Sequence, residues 1–233
     1  MYQRDKAFEK AQHHVEKSLK YFRVTGDILG QALTLTLAES IENRQGNNMA
    51  ARNSFEEALV LCRQSGNQSL LVIILNRLGD HACYESLYDF ATALFEECLE
   101  ISIHLNDRSN QAILLNNLGT IRHNKDGYAQ TTTYYFRCLE MCRKIGDRDG
   151  VALALNNLGE LSTAQEDYSA ALKYSQDALR IAEQLQETWT IIVCLNSLGK
   201  IYCALGQLKK AKVTFCPQSA RLWKSMALTW SPG

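Results

Sequence analysis

The residues of this chain best suited to contact a ligand are pairs of asparagines in a repeated pentapeptide. The string "LNNLG" occurs at residues 115–119 and again at residues 155–159. Asparagine disfavours helix interiors because its short amide competes for nearby backbone groups. Each amide offers two donors and an acceptor, which suits it to hold a peptide backbone without reading side chains. The pair therefore predicts a hydrogen-bonding surface.

The sequence lacks the patterns that catalysis requires. The glycines never form the phosphate-binding loop G-x-x-x-x-G-K-[ST]. No serine or cysteine has a plausible partner base, and the five histidines follow no site pattern: His13, His14, His81, His104 and His123. We expect a protein that is not an enzyme and needs no cofactor.

The eight cysteines are better explained as core residues than as a metal site or disulfides. Cys98 and Cys138 stand 40 residues apart, and Ala58 and Ala178 continue the series. This interchange with alanine predicts small core side chains. Cys138 and Cys142 share a helix face, but no further ligand pair follows at zinc-site spacing. The sequence predicts reduced thiols and no metal.

Charge and hydropathy exclude several classes of partner. The chain of 233 residues carries 25 basic and 25 acidic residues, so no net field favours nucleic acid or anionic lipid. No apolar run approaches the roughly 18–20 residues that span a bilayer, and the N-terminus lacks the apolar core of a secretion signal. We therefore expect a cytoplasmic protein without a direct nucleic-acid or membrane partner.

An internal period of 40 residues organises the chain. One shift aligns four five-residue segments without a gap: 75–79 (LNRLG), 115–119 (LNNLG), 155–159 (LNNLG) and 195–199 (LNSLG). The same shift aligns Leu19, Leu59, Leu99, Leu139 and Leu179, and the aromatics Tyr88, Tyr128 and Tyr168.

Each period reads as two helices. The apolar spacing predicts a first helix over Arg108–Lys125, a turn at Asp126-Gly127 and a second helix over Tyr128–Ile145. Between periods stand Gly26-Asp27, Gly66-Asn67, Asn106-Asp107 and Gly146-Asp147. Such a dipeptide can end one helix with a left-handed glycine and cap the next with a side-chain oxygen.

This pattern resembles the tetratricopeptide repeat in its 40-residue form: Leu-Gly in the first helix, an aromatic at the turn, then Ala-x-x-x-Tyr/Phe-x-x-Ala/Cys-Leu in the second. The resemblance implies an all-α fold, a right-handed α-α superhelix (α-solenoid) of antiparallel helix pairs. We expect a single domain over 1–233, with a half repeat at 1–27, repeats at 28–67, 68–107, 108–147, 148–187 and 188–227, and a tail at 228–233.

Three departures from the pattern stand out. Ala38-Glu39 replaces Leu-Gly in the first full repeat. Pro217 falls inside the last second helix and predicts a kink or restart near Cys216. The chain begins mid-repeat, so both ends suggest a segment of a longer solenoid, or one with divergent caps.

A helical wheel places the asparagines away from the packed side. Ala112, Leu115, Leu118 and Gly119 cluster on one arc. Asn116, Asn117 and Thr120 fall on the other, Asn116 at its edge. In tetratricopeptide solenoids the first helices line the concave surface, so the resemblance assigns this arc to a groove. The candidate groove residues are Asn76, Arg77, Asp80, Asn116, Asn117, Thr120, Asn156, Asn157, Glu160, Asn196 and Lys200.

Each row of these residues also has a structural interpretation. The first asparagine of each pair can hydrogen-bond to the neighbouring repeat and fix the stacking, whereas the second favours ligand contact. Asp80, Glu160 and Lys200 can be solvated charge. Trp189 stands at an inter-repeat turn, where it is either a partner contact or, more in keeping with its size, core packing. If the second asparagines bind ligand, Asn117→Ala with Asn157→Ala should reduce affinity without lowering thermal stability.

Two kinds of function fit the pattern. One is a scaffold whose concave groove holds a protein or an extended peptide. The other is a sensor module for a small molecule or signalling peptide. The "GD" junctions and "NNLG" resemble the C-terminal arrays of bacterial signal-transduction ATPases and LuxR-type regulators, and also animal spindle-orientation adaptors, so the chain is expected to be part of a larger regulator. Exposed solenoid ends could also pair two chains into a homodimer.

Overall fold

The computed structural model describes residues 2–124 and 127–215, and every regular element in these ranges is an α-helix. The helices are α1 (Tyr2–Thr25), α2 (Ile28–Arg44), α3 (Asn48–Ser65), α4 (Gln68–Tyr84), α5 (Tyr88–His104), α6 (Arg108–Asn124), α7 (Tyr128–Ile145), α8 (Arg148–Ala164), α9 (Tyr168–Leu185), α10 (Thr188–Ala204) and α11 (Leu208–Phe215).

The predicted helix pairs are confirmed. In each repeat the first helix packs antiparallel against the second, as α2 does with α3, α4 with α5, α6 with α7 and α8 with α9. The bounds predicted for α7 are those observed, and α6 ends at Asn124, where the described part of the chain is interrupted. The fold is an all-α stack of helix pairs of the solenoid type.

Glycine and a capping side chain join successive repeats, as the sequence predicts. Gly66 has φ +70° after α3, and the Leu70 backbone N–H donates to Asn67 Oδ1 over 3.0 Å at the start of α4. At the end of α7, Gly146 has φ +75°. The Gly150 N–H then donates to Asp147 Oδ1 over 2.9 Å. The left-handed glycine and the cap together fix where each helix begins.

The core follows the small–large alternation of the repeat. A Cβ on Gly119 would lie 2.6 Å from Tyr135 Cε1, so only glycine allows α6 and α7 to approach this closely. Cys98 and Cys138 are buried at the positions where Ala58 and Ala178 are also buried. The prediction that these cysteines are core residues is confirmed.

The chain divides into two compact units, Met1–Asp107 and Arg108–Gly233, at a predicted repeat boundary. In the first unit, successive odd-numbered helices are joined by two exposed ion pairs of equal spacing, Arg23–Glu57 at 2.6 Å and Arg63–Glu97 at 2.8 Å. Pairs at this exposure contribute little individually. Their recurrence shows that the same register relates α1 to α3 and α3 to α5.

The second unit contains α6 to α11 and ends its described part at Phe215. In it α8 packs on both α9 and α10, so three successive first helices, α6, α8 and α10, stand beside one another. Pro217 and the predicted kink near Cys216 lie outside the described residues. The interpretation of 1–233 as a single domain stays a prediction.

Candidate functional site

The candidate groove residues all lie on first helices, but they differ in exposure. Six are half-buried: Asn76, Arg77, Asn116, Asn117, Asn157 and Glu160. Four are exposed: Asp80, Thr120, Asn196 and Lys200. Asn156 is buried, with 1% of its surface accessible. The arc that the sequence treated as one surface therefore contains residues in three environments.

The second position of the pair links neighbouring repeats. The Asn157 Nδ2–H₂ group on α8 donates to Asn116 Oδ1 on α6 over 2.7 Å. Arg77 occupies the equivalent position in α4, and its guanidinium donates to the Thr36 carbonyl at 3.4 Å and to Ser40 Oγ at 2.8 Å on α2. The second position thus faces the preceding repeat, and the first position faces the following one.

This register changes the expectation for the double alanine variant. The amide of Asn157 is engaged between repeats, so Asn157→Ala removes an inter-repeat hydrogen bond. Such a bond contributes about 0.5–1.5 kcal/mol. The variant Asn117→Ala with Asn157→Ala is therefore expected to lose stability as well as any affinity, contrary to the prediction from the sequence.

Asn156 does not lie at an open surface, as its place in the candidate groove required. By the register of the Asn157–Asn116 bond, it faces Ser197 on α10, which packs against α8. Ser197 Oγ instead donates to Glu160 Oε1 over 2.9 Å. Asn156 Oδ1 is left buried without a hydrogen-bond partner. Packing of α10 has covered the amide without satisfying it.

Charged groups of the second unit converge on Glu160. Its Oε1 accepts from Ser197 Oγ and lies 3.4 Å from Lys200 Nζ of the next repeat. Lys200 is largely exposed, so the ion pair itself contributes little. These contacts show that Glu160 joins two repeats in addition to facing solvent.

The first unit places three charges on adjacent turns of α2 and α4. Arg77 Nη2 lies 3.7 Å from Glu39 Oε2, and Glu39 is only 4% exposed. Burial raises the pKa of Glu39, an effect that Arg77 partly offsets. Asp80 reaches solvent, yet desolvation by the surrounding protein raises the pKa of its carboxyl to about 6 against the opposing effect of Arg77.

Thr120 and Trp189 mark two sides of the inner face in the second unit. Thr120 Oγ1 donates to the Asn116 carbonyl over 3.1 Å, a contact within its own helix. Trp189 is 56% exposed rather than packed in the core, so the structure favours the partner-contact interpretation of this residue. Its neighbour Thr190 donates to Asp149 Oδ1 over 2.7 Å, which ties α10 to α8.

An aliphatic position beside the amides was missed in the sequence. One turn before the asparagine pair, every first helix carries an exposed or half-buried aliphatic side chain: Leu33, Ile73, Ile113, Leu153 and Val193. The first three are 47%, 50% and 48% exposed. The 40-residue shift could have revealed this row, because an invariant apolar residue on a solvent-facing arc has no packing explanation. The inner faces are therefore amphipathic.

Metal and thiol chemistry find no support among the described residues. No group of three or more His, Cys, Asp or Glu side chains there could hold a metal ion. Burial raises the pKa of Cys98 and of Cys194 to about 12, so both thiols stay protonated near neutral pH. They act as apolar packing residues.

Comparison with known families identifies the repeat. Residues 110–184 match the tetratricopeptide repeat family model. The chain carries tetratricopeptide repeats. The match lies wholly within the second unit, and no curated protein matches the chain. None of the helices in the described ranges is long and apolar enough to cross a membrane.

Solved structures share the tetratricopeptide-type fold at low sequence identity. BtubC (BKLC) from P. vanneervenii is 22% identical over 97% of this chain and 94% of its own, with a TM-score of 0.78. A Rap protein complexed with Competence and Sporulation Factor is 18% identical over 86% of this chain, with a TM-score of 0.74. A signal transduction ATPase with a tetratricopeptide repeat sensor, from Pyrococcus horikoshii, is 16% identical over 98% of this chain, with a TM-score of 0.77. The chain spans 57% of the Rap protein and 36% of the ATPase.

Proposed function

We propose that the chain is a non-catalytic scaffold that binds a protein segment or an extended peptide along the inner faces of its first helices. The observation that carries this proposal is the exposed aliphatic row beside the amide positions. An apolar side chain kept at the same solvent-facing position in every repeat costs solubility and contributes little to folding. It is useful when a partner covers it.

The second unit gives this proposal its chemistry. Ile113, Leu153 and Val193 stand on successive first helices and would receive apolar side chains of the ligand. Packed helices lie about 8–10 Å apart, and an extended peptide advances about 3.3 Å per residue. One pocket per repeat thus meets about every third residue. Exposed Asn196 would contact the peptide backbone, and Trp189 would provide an aromatic anchor at one edge.

We propose further that the chain is the cytoplasmic interaction or sensor region of a larger bacterial signalling or transcription-regulatory protein. This rests on likeness: the Rap structure is named for its complex with a signalling factor, and the Pyrococcus ATPase for its repeat sensor. Fold likeness alone does not transfer function. The attached domains and their partners are thus part of the proposal.

Two other functions share the fold. A small-molecule sensor would be stabilised thermally by a metabolite and little by any peptide. A eukaryotic adaptor of the spindle-orientation type would bind an extended protein segment in the same way, and the gene context would separate it from a bacterial regulator. Pairing of two chains through solenoid ends also stays a prediction, which the mass in solution would test.

A phage-displayed library of random dodecapeptides, selected on the full chain, tests the scaffold function. Selected peptides should lose affinity about tenfold or more on Ile113→Asp, because burying one aliphatic side chain contributes roughly 1.5–3 kcal/mol. Ile103→Asp is a matched control, since Ile103 is 50% exposed against 48% for Ile113 and lies on a second helix. Equal binding by both variants, or stabilisation by a metabolite alone, would contradict the proposal.

A further inference from the structure

A second apolar surface lies outside the inner faces, where α4 turns into α5 in the first unit. Tyr84, Leu87 and Phe90 are 76%, 40% and 41% exposed. Leu87 and Phe90 stand three residues apart at the start of α5, so they share one face of the helix. Tyr84 is the last residue of α4. We call these three residues the α4–α5 turn patch.

The patch belongs to one repeat and not to the repeat pattern. The equivalent positions elsewhere carry small, polar or charged residues: Arg44, Asn124, Ala164 and Ala204 for Tyr84; Asn47, Gly127, Asp167 and Gln207 for Leu87; and Ala50, Gln130, Ala170 and Lys210 for Phe90. The fold of a repeat therefore does not require large apolar groups at this turn.

Leu87 also occupies a place where a polar residue would stabilise the chain. It is the N-cap of α5 and makes no side-chain cap hydrogen bond. In the equivalent position before α9, Asp167 Oδ1 accepts the Ala170 backbone N–H over 3.0 Å. Leucine is among the poorest N-cap residues. The sequence thus carries an exposed leucine at the expense of a helix cap.

The charges around the patch are mostly acidic. From Tyr88 to His104, α5 contains no lysine or arginine, and Asp89, Glu96 and Glu100 are exposed. The nearby cation Arg52 is engaged: its guanidinium lies 3.0 Å from Glu56 and 5.9 Å above the Phe90 ring. It also lies 3.9 Å from Glu85. Arg52 fixes the ring and leaves an acidic helix beside an apolar turn.

We propose that the α4–α5 turn patch is a docking site for a basic partner segment that carries large apolar side chains. The apolar residues of the partner cover Leu87, Phe90 and Tyr84, and its lysines or arginines face the carboxylates of α5. Aromatic and aliphatic anchors with a charged rim are the usual anatomy of a protein interface. This site is separate from the inner faces and does not depend on their function.

Leu87→Asp provides an unusual test, because folding and binding should change in opposite directions. The aspartate supplies the missing cap, so the urea midpoint of the full chain should rise. The same dodecapeptide library, selected on the full chain and then counter-selected on Leu87→Asp, should return peptides rich in lysine or arginine with tryptophan, leucine or phenylalanine. Their affinity for the variant should fall by about tenfold or more, as expected for losing one buried leucine.

Two further variants complete the test. Phe90→Ala should weaken the same peptides without introducing charge, and Val60→Asp, at a residue 55% exposed on α3, should leave them bound. Ile113→Asp should also leave them bound, which separates this site from the scaffold function. The proposal is overturned if no selected peptide responds to Leu87→Asp, or if the responsive peptides are acidic. It is overturned too if the patch instead drives a concentration-dependent association of the chain with itself that Leu87→Asp abolishes.

Discussion

The buried amide of Asn156 gives the most informative stability test in the chain. The side chain is 1% exposed, and its Oδ1 has no hydrogen-bond partner. A buried unsatisfied acceptor costs about 1–3 kcal/mol, whereas an apolar group of similar shape avoids that cost. Asn156→Leu should therefore raise the free energy of unfolding by about 1–3 kcal/mol. This is an unusual expectation for a change at a buried polar position.

The neighbouring repeat offers a control with the opposite expected sign. Asn116 is the equivalent residue, but its Oδ1 accepts the Asn157 amide at 2.7 Å. Asn116→Leu removes that acceptor and leaves a donor unpaired, so stability should fall by about 0.5–1.5 kcal/mol. One substitution at one repeat position thus stabilises in α8 and destabilises in α6.

Urea denaturation followed by circular dichroism measures both variants in the full chain, with Asn156→Leu also compared by the peptide binding of the scaffold test. If Asn156→Leu destabilises as Asn116→Leu does, the amide is satisfied in solution and the register argument is wrong. A stabilised Asn156→Leu variant that retains peptide binding shows that this amide takes no part in the ligand site.

Two further predictions follow from close packing and from charge. Gly119→Ala should lower the free energy of unfolding by about 1–3 kcal/mol through overpacking against Tyr135, although helix propensity alone favours alanine by about 1 kcal/mol; Gly159→Ala, which meets the rotatable hydroxyl of Ser175, should cost less, and equal effects in urea melts would refute the packing argument. Asp80 has a folded pKa raised to about 6 from 3.8, so the stability linked to its protonation is present at low pH and is lost as pH rises through about 6. Asp80→Asn should then stabilise the chain more at pH 8 than at pH 5, and a pH-independent difference in urea midpoint would contradict this.

The period of the sequence was enough to predict the helices and their junctions. The bounds of α7, the left-handed Gly146 and the cap at Asp147 all follow from residues that act within a few positions of one another. The close approach at Gly119 is equally local, because it concerns one helix pair. Local chemistry repeated every 40 residues leaves little freedom for the pair.

The site was less predictable because it depends on how one repeat is rotated against the next. A helical wheel places Asn156 and Asn157 side by side, but only the inter-repeat packing decides that Asn157 bonds to Asn116 while Asn156 is covered. The choice of Ser197 to bond Glu160 likewise depends on two helices together. Trp189 is exposed for the same reason, since its burial would require a neighbouring surface that the sequence does not specify.

The buried Glu39 carries a consequence for the order in which the chain acquires its structure. It replaces the glycine of the other repeats, and the cation nearest to it, Arg77, arrives only with the first helix of the next repeat. While the chain emerges from the ribosome, α2 and α3 can pair before α4 exists, but they would enclose a carboxylate with no counter-ion. Proteins gain structure from the N-terminus during synthesis, yet here the first repeat must wait for its successor. The N-terminal end is thus protected against closing early, and its completion is tied to the translation of Arg77.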